Sequence, residues 1–473
     1  MIRTLALITL AGVLAACTQA PPPTTFDDVT KHADVHLSKQ LHWSRGGPGE
    51  QQIRDHINTT LQRPLRVEDA VQIALLNNRQ LQATYEDLGI SQAELLQAGL
   101  LKNPTFSASL LPGVDGTGSP KIGLELTYDF IDALFVGVRQ RMAALALDAA
   151  KARVTAAVLA HALEARIAFY DYQAAEQLLE LQQLHLDAAR VSNEASQKLF
   201  DAGNITRLAL MSDRASLSRA KLAFSEAQTM LTERRERVNR ALGLWGVAAG
   251  TWRADGRLLP LPQDDIALSR IEGRAIEHSL QLAELRAEAA AAHGQRDLAQ
   301  WSAWFTDIEA GVEAEQEDTR AWHVGPTVTL QIPIFDQGQA RNAVAEARLR
   351  SVMQRYTAAA VTIRSTVRIA RDHYVAARAR ATHTRDVLVP TQNEVLKEAQ
   401  LQYNAMQVGL FQLLDARRDV TEAGATYITS LRDYWLARAQ LEHLLAGGNG
   451  SAGMTTDTPS RPSSASPNAE GRH

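Results

Sequence analysis

Residues 199–220, LFDAGNITRLALMSDRASLSRA, align without a gap to residues 402–423, QYNAMQVGLFQLLDARRDVTEA. Phe200 meets Tyr403, Ile205 meets Val408 and Arg214 meets Arg417, each 203 residues apart, and Leu242 and Leu445 keep that offset. Upstream, LTYDFID (126–132) pairs with LQIPIFD (330–336), and residues 67–101 pair with residues 267–301. Self-similarity on this scale divides the chain into two copies of one unit, a stronger constraint on the fold than composition. Each copy reads as helix, two strands, long helix, turn, helix. The divisions are a signal segment 1–16, an extension 17–65, a first repeat 66–243, a linker 244–265, a second repeat 266–446 and a tail 447–473.

The strands are read from alternation with period two. Ile122, Leu124, Leu126, Tyr128 and Phe130 alternate with polar or small residues. So do Ile308, Ala310, Val312 and Ala314, and then Val328, Leu330, Ile332 and Ile334. Turn-rich segments at 111–120 and 315–322 separate the two strands of each copy, so each copy offers one hairpin. Strands of about nine residues suit a tilted crossing of a bilayer, with one apolar and one polar face. Four strands do not close a barrel, since the smallest transmembrane barrels need about eight, so closure requires several subunits. No stretch of about 18 apolar residues follows the N-terminus, which leaves a β-barrel as the way to cross a membrane.

From Val138 to Gly243 there is no proline. Gly137 to Phe200 is 64 residues, about 100 Å of helix. Val138, Met142, Leu145, Ala149, Ala152, Ala156, Leu159 and Leu163 follow the 4-3 spacing of a helix seam, as do Tyr356 through Ala381 in the second copy. Val158, Phe169, Leu179 and Leu186 lie off that stripe and predict a second neighbour.

The first residues, MIRTLALITLAGVLAACTQAPPP, combine Arg3, a short apolar run and Leu14-Ala15-Ala16-Cys17. This resembles a bacterial lipoprotein signal, which implies acylation of Cys17; Thr18 stands where an aspartate would retain the chain at the inner membrane. Cys17 is the sole cysteine, so no disulfide forms within a chain. Net charge is −4, which gives no basic excess for nucleic acid. PPPTTFDDVT after Cys17 reads as a spacer, and the Gly-, Ser- and Pro-rich tail as disordered.

Catalytic motifs are missing: there is no phosphate loop, Gly-x-Ser-x-Gly elbow or zinc-protease helix motif. VDGTG (114–118) is turn chemistry, and Glu313, Glu315, Glu317 and Asp318 read as a solvated loop rim. His32, His36, His42 and His56 gather in the extension. On a helix His32 and His36 would share a face, but scattered surface histidines are the ordinary reading, and neither a metal site nor a cofactor is assigned.

Four elements in order carry a family resemblance: the Cys17 signal, LRVEDAVQIALLNNRQL (65–81) with KNP (102–104), VTLQIPIFDQGQARNAVAEARL (328–349) and LQYNAMQVGLFQLLDARRDV (401–420). Over residues 65–446 the chain resembles the TolC-like outer membrane efflux proteins. The resemblance implies a mainly helical fold with a small β part. Four strands per chain would enter a shared 12-stranded transmembrane barrel above a long periplasmic helical barrel. It implies a homotrimer in outer-membrane lipid, met by a periplasmic adaptor and an inner-membrane pump, and a passive exit duct for drugs or metal ions rather than an enzyme. Two other functions fit the same residues, the outer-membrane channel of a one-step protein secretion system and a pore-less periplasmic coiled-coil lipoprotein.

By that resemblance the helix turns are periplasmic tips. Gly203, Asn204, Ile205 and Thr206 in the first copy, and Gln407, Val408, Gly409 and Leu410 in the second, would dock the adaptor. Tyr403 and Asp415 would belong to the gate, and Gln412 replaces a further acid. Met406 stands where glycine is usual, which hands the turn to Gly409.

Overall fold

The structure is a computed structural model and describes residues 25–47, 49–111, 121–302, 308–317, 321–331 and 334–450. Helices α1 (Thr25–Leu37), α2 (Gly49–Leu61), α3 (Val67–Asn77) and α4 (Arg79–Gly99) lead into β1 (Thr105–Leu111) and β2 (Lys121–Asp129). A single helix, α5 (Phe130–Asp201), then runs out to a turn, and α6 (Arg207–Leu242) returns. After the short α7 (Val247–Thr251), the order resumes with α8 (Ile271–His278), α9 (Leu280–Ser302), β3 (Ile308–Glu317), β4 (His323–Leu330) and α10 (Gln339–His383). A π-helical turn (Thr384–Leu388), α11 (Val389–Asn404) and α12 (Leu410–Leu445) complete the chain.

The spacer read after Cys17 is shorter than its sequence suggests. Helix begins at Thr25, and Val29 and Ala33 are buried against the first half of the chain. The alternation through Phe130 also overshoots. Asp129 ends β2 because its carboxylate accepts the Asp132 backbone N–H, at 3.0 Å, and caps α5. In the second hairpin β4 occupies 323–330 rather than beginning at Val328, and the alternation at Ile334 falls past the strand.

At 72 residues, α5 is longer than the 64 expected and spans about 108 Å. Its counterpart is not one helix. Pro390 has no backbone N–H, and the helix widens into a π turn in which Val389 donates to the Thr384 carbonyl.

The largest core lies part-way along α5. Val154, Val158, Ala162, Ala165 and Phe169 pack with Tyr85 and Leu88 of α4, Val238 and Leu242 of α6, and Trp252. Trp252 donates its indole N–H to Asn239 at 2.8 Å. A second core gathers Ile271 and Ala275 of α8, Val367, Tyr374, Ala377 and Ala381 of α10, and Tyr434 and Leu441 of α12. The expected seam is thus buried from Ala149 to Leu163 and from Val367 to Ala381, and Val158, Phe169 and Leu186 are buried on the other side of α5.

The break between α3 and α4 has a specific cause in the two asparagines of LLNNRQL. Asn78 accepts from the Gln80 and Leu81 backbone N–H groups at 2.8 and 3.2 Å, starting α4. Its amide donates to the Ala241 carbonyl at 3.1 Å, and Asn77 donates to Leu242 and Gly243 at 2.9 and 2.8 Å. One residue pair therefore satisfies the opening of α4 and the closing carbonyls of α6.

Candidate functional site

Four strands form one antiparallel sheet in the order β1-β2-β3-β4, so the two hairpins join through β2 and β3. The register sorts its side chains by face. Phe106, Leu126, Val312 and Pro326 stand in one row, and Ala108, Leu124, Ala314 and Val324 in the next. Leu110 with Ile122, Tyr128 with Ala310 and Val328, and Ile308 with Leu330 extend the same face. Gln316 and the Tyr128 hydroxyl are its only polar side-chain groups among the described residues. Phe106, Leu110, Val324 and Val328 are each at least 65% exposed, so this broad apolar face is uncovered within the chain.

The other face is polar and acidic. Glu125 lies opposite Glu313, Asp129 opposite Glu309, and Glu315 beside Lys121 in an ion pair of 3.1 Å. Glu313 and Glu315 are therefore strand residues on one face of β3, with Glu317 at its end, and not a loop rim; Asp318 lies outside the described residues. Among the described residues, β1 and β4 have no partner on their outer edges. No helix among the described residues is long and apolar enough to cross a membrane.

A charged clasp ties the sheet to the shaft. Lys102, of the KNP element, lies 3.0 Å from Asp129 and 3.5 Å from Asp132, and Arg139 pairs with Asp132. Both carboxylates sit at the N-terminus of α5, where the helix dipole favours negative charge.

The far ends of the helices close in two turns of the same construction. Asn204 donates to the Leu199 carbonyl at 2.8 Å and Gly203 to Phe200 at 2.9 Å, with Gly203 left-handed at φ 74°. Thr206 then accepts from the Ala209 N–H at 3.2 Å and starts α6. In the second turn Gln407 donates to Gln402 at 2.9 Å and Met406 to Tyr403 at 3.0 Å. Here Met406 itself is left-handed, at φ 58°, while Gly409 is extended at φ −79° and precedes α12. Gly409 does not take over the turn, because the 6→1 bond pattern fixes the left-handed position one residue after Ala405.

Gly203, Asn204, Thr206, Gln407 and Gly409 are exposed, and Ile205, Val408 and Leu410 are half-buried. Tyr403 is half-buried in the last turn of α11, whereas Asp415 is exposed one turn into α12. Cys17 lies outside the described residues.

Two polar features escaped the sequence reading. Near the first turn, Asp213 is buried and bonded to Ser192 at 3.1 Å. Midway along the shaft, Asp171 of α5 meets Arg234 of α6 at 3.1 Å and Arg432 of α12 at 3.8 Å. Burial pushes the Asp171 carboxyl up, against the pull of both arginines. The signal available was an aspartate within the buried run FYDYQ.

Residues 70–244 match the family model for the outer membrane efflux protein. The chain is 21% identical over 389 residues to the cobalt-zinc-cadmium resistance protein CzcC of Cupriavidus metallidurans, covering 81% of this chain and 90% of that one. Its fold is similar to a membrane protein from Pseudomonas aeruginosa, with a TM-score of 0.69 and 20% identity over 80% of this chain and 93% of that one. It is similar also to the CmeC outer membrane channel of Campylobacter jejuni, with a TM-score of 0.69 and 16% identity over 89% and 92% of the two chains. A helical shaft with a one-sided sheet at its end is thus similar in fold to outer membrane channels, and residues 70–244 carry the likeness to the outer membrane efflux proteins, the TolC-like outer membrane factors.

Proposed function

We propose that the chain is one subunit of a trimeric outer-membrane exit duct, lipid-anchored at Cys17, that passively conducts small solutes delivered by an inner-membrane pump through a periplasmic adaptor. The observation that carries this reading is the sheet. Its uncovered apolar face suits lipid, its acidic face suits a water-filled lumen, and its open edges at β1 and β4 suit strands from neighbouring copies. Three such sheets would make a 12-stranded barrel.

Exposed apolar residues on the shaft support the same assembly. Val344, Met353, Val361 and Ile369 of α10 and Leu184 and Val191 of α5 are uncovered in the single chain, as subunit contacts would require. The turns at Gly203 and Met406, about 100 Å from the sheet, are the surfaces offered to the adaptor.

The anchor is within reach. Asp28 of α1 pairs with Lys151 at 3.0 Å, and Lys151 lies about 32 Å along α5 from the sheet. Thr25 lies one turn before Asp28, and the eight steps from Cys17 to Thr25 extend to about 28 Å, a span of the same order.

Cobalt, zinc and cadmium ions are the first cargo to test, because they are named for the 21% identical relative. The purified protein in planar bilayers should give discrete single-channel conductance and cross-link as a trimer. A strain lacking the gene should become more sensitive to the cargo. A soluble monomer without conductance would overturn the duct.

A further inference from the structure

Three histidines from opposite halves of the chain lie in a row, His36 between the other two. His32 and His36, one turn apart on α1, have ring centroids 4.4 Å apart. His278, the last residue of α8, brings its ring to 5.6 Å from that of His36. Only the first two are neighbours in sequence; folding supplies the third.

His32 is held as a metal-ligating histidine is held. Its Nε2 is buried with no hydrogen-bond partner among the described residues, and the ring lies near the Ala446 backbone. A ligating imidazole commonly donates its second nitrogen to a backbone carbonyl, which fixes the ring and frees the other nitrogen for the ion.

Spacing and charge agree with this. Nitrogens about 2.0–2.1 Å from one ion place ring centres about 5 Å from each other at a tetrahedral angle, and the observed 4.4 and 5.6 Å bracket that value. Burial lowers the proton affinity of His32 and His36, and the neighbouring rings lower it further, so both stand as neutral imidazoles at neutral pH. As the rings lie, tilted by 44° and 71°, no three donors already converge on one point. His36 is half-buried and His278 exposed, so both have room to turn toward an ion.

We propose that His32, His36 and His278 form a three-imidazole site for a borderline-soft divalent cation such as Zn²⁺, Co²⁺ or Ni²⁺, clasping α1 to the second half of the chain. Asp28 with Lys151, and Val29 and Ala33, hold α1 to the first half. The ion would add a bond from α1 to the corner between α8 and α9, beside the end of α12. This site stands independently of solute conduction.

The test uses the full-length protein in detergent, stripped with a chelator and titrated with Zn²⁺ alone by calorimetry and with Co²⁺ alone by visible absorption. One equivalent per chain should bind saturably, with cobalt bands of a nitrogen-ligated, low-coordinate ion. His36→Asn and His278→Asn should each weaken binding at least tenfold, with far-UV circular dichroism unchanged. No saturable binding, or unchanged affinity in both variants, overturns the site. Loss in His36→Asn with none in His278→Asn confines the ion to α1 and overturns the clasp.

Discussion

Met406 repeats the backbone of Gly203: both are left-handed, at φ 58° and 74°, and both close a helix with the same pair of backbone bonds. A side chain in that region costs about 1–2 kcal/mol. Met406→Gly should therefore raise the unfolding free energy by about 1 kcal/mol, read from denaturant midpoints. Gly203→Val should cost a similar amount and impair export while trimers still form; unchanged export would argue against docking at this turn.

Asn78 makes four bonds, accepting two that open α4 and donating two to carbonyls at the end of α6. Asn78→Ala removes a cap and strands buried carbonyls, a loss of about 2–3 kcal/mol. Asn78→Asp keeps the cap but not the donor, so it should fall between the two. Thermal melting of the three proteins reads the order.

Asp171 depends on Arg234 and Arg432 for its charge. Arg234→Ala leaves a buried carboxylate with one weaker partner and should cost about 2–3 kcal/mol at neutral pH. The carboxyl is already pushed up by burial, so the variant's deficit should shrink on acidification as Asp171 takes up a proton. Asp171→Asn in the same background should recover part of the loss.

His161 and His443 are held below the ordinary histidine value of 6.5, in both cases chiefly by burial. The unfolded chain then binds more protons than the native one between the lowered values and 6.5. Stability from these groups is complete above pH 6.5 and is lost as pH falls below it. The melting midpoint should drop between pH 7.5 and 5.5, and less steeply in His161→Gln. A midpoint flat across that range would contradict the expectation.

The two faces of the sheet should respond oppositely to charge. Leu126→Lys places a charge on the apolar face and should cost about 2–4 kcal/mol of membrane insertion, seen as lost trimer in the outer-membrane fraction. Glu313→Gln, on the acidic face, should insert normally and lower the preference for cations in bilayer recordings.

Much of this was legible because local chemistry and tertiary role coincide. Alternation from Ile122 to Tyr128 reads directly as β2, and the Gly-Asn pair at 203–204 as a turn, since both are properties of short segments. What depends on distant partners was not legible. Nothing local states that Met406 rather than Gly409 takes the left-handed position, because the choice lies in which carbonyls of α11 are satisfied. Asp171 and Arg234 are 63 residues apart, and Glu313 and Glu315 look like loop acids until the pairing of β2 with β3 puts them on one face. Sequence periodicity by itself determined that this chain makes amphipathic strands and very long helices. Tertiary structure alone decided which polar groups meet, because burial and pairing depend on what the far end of the chain brings alongside.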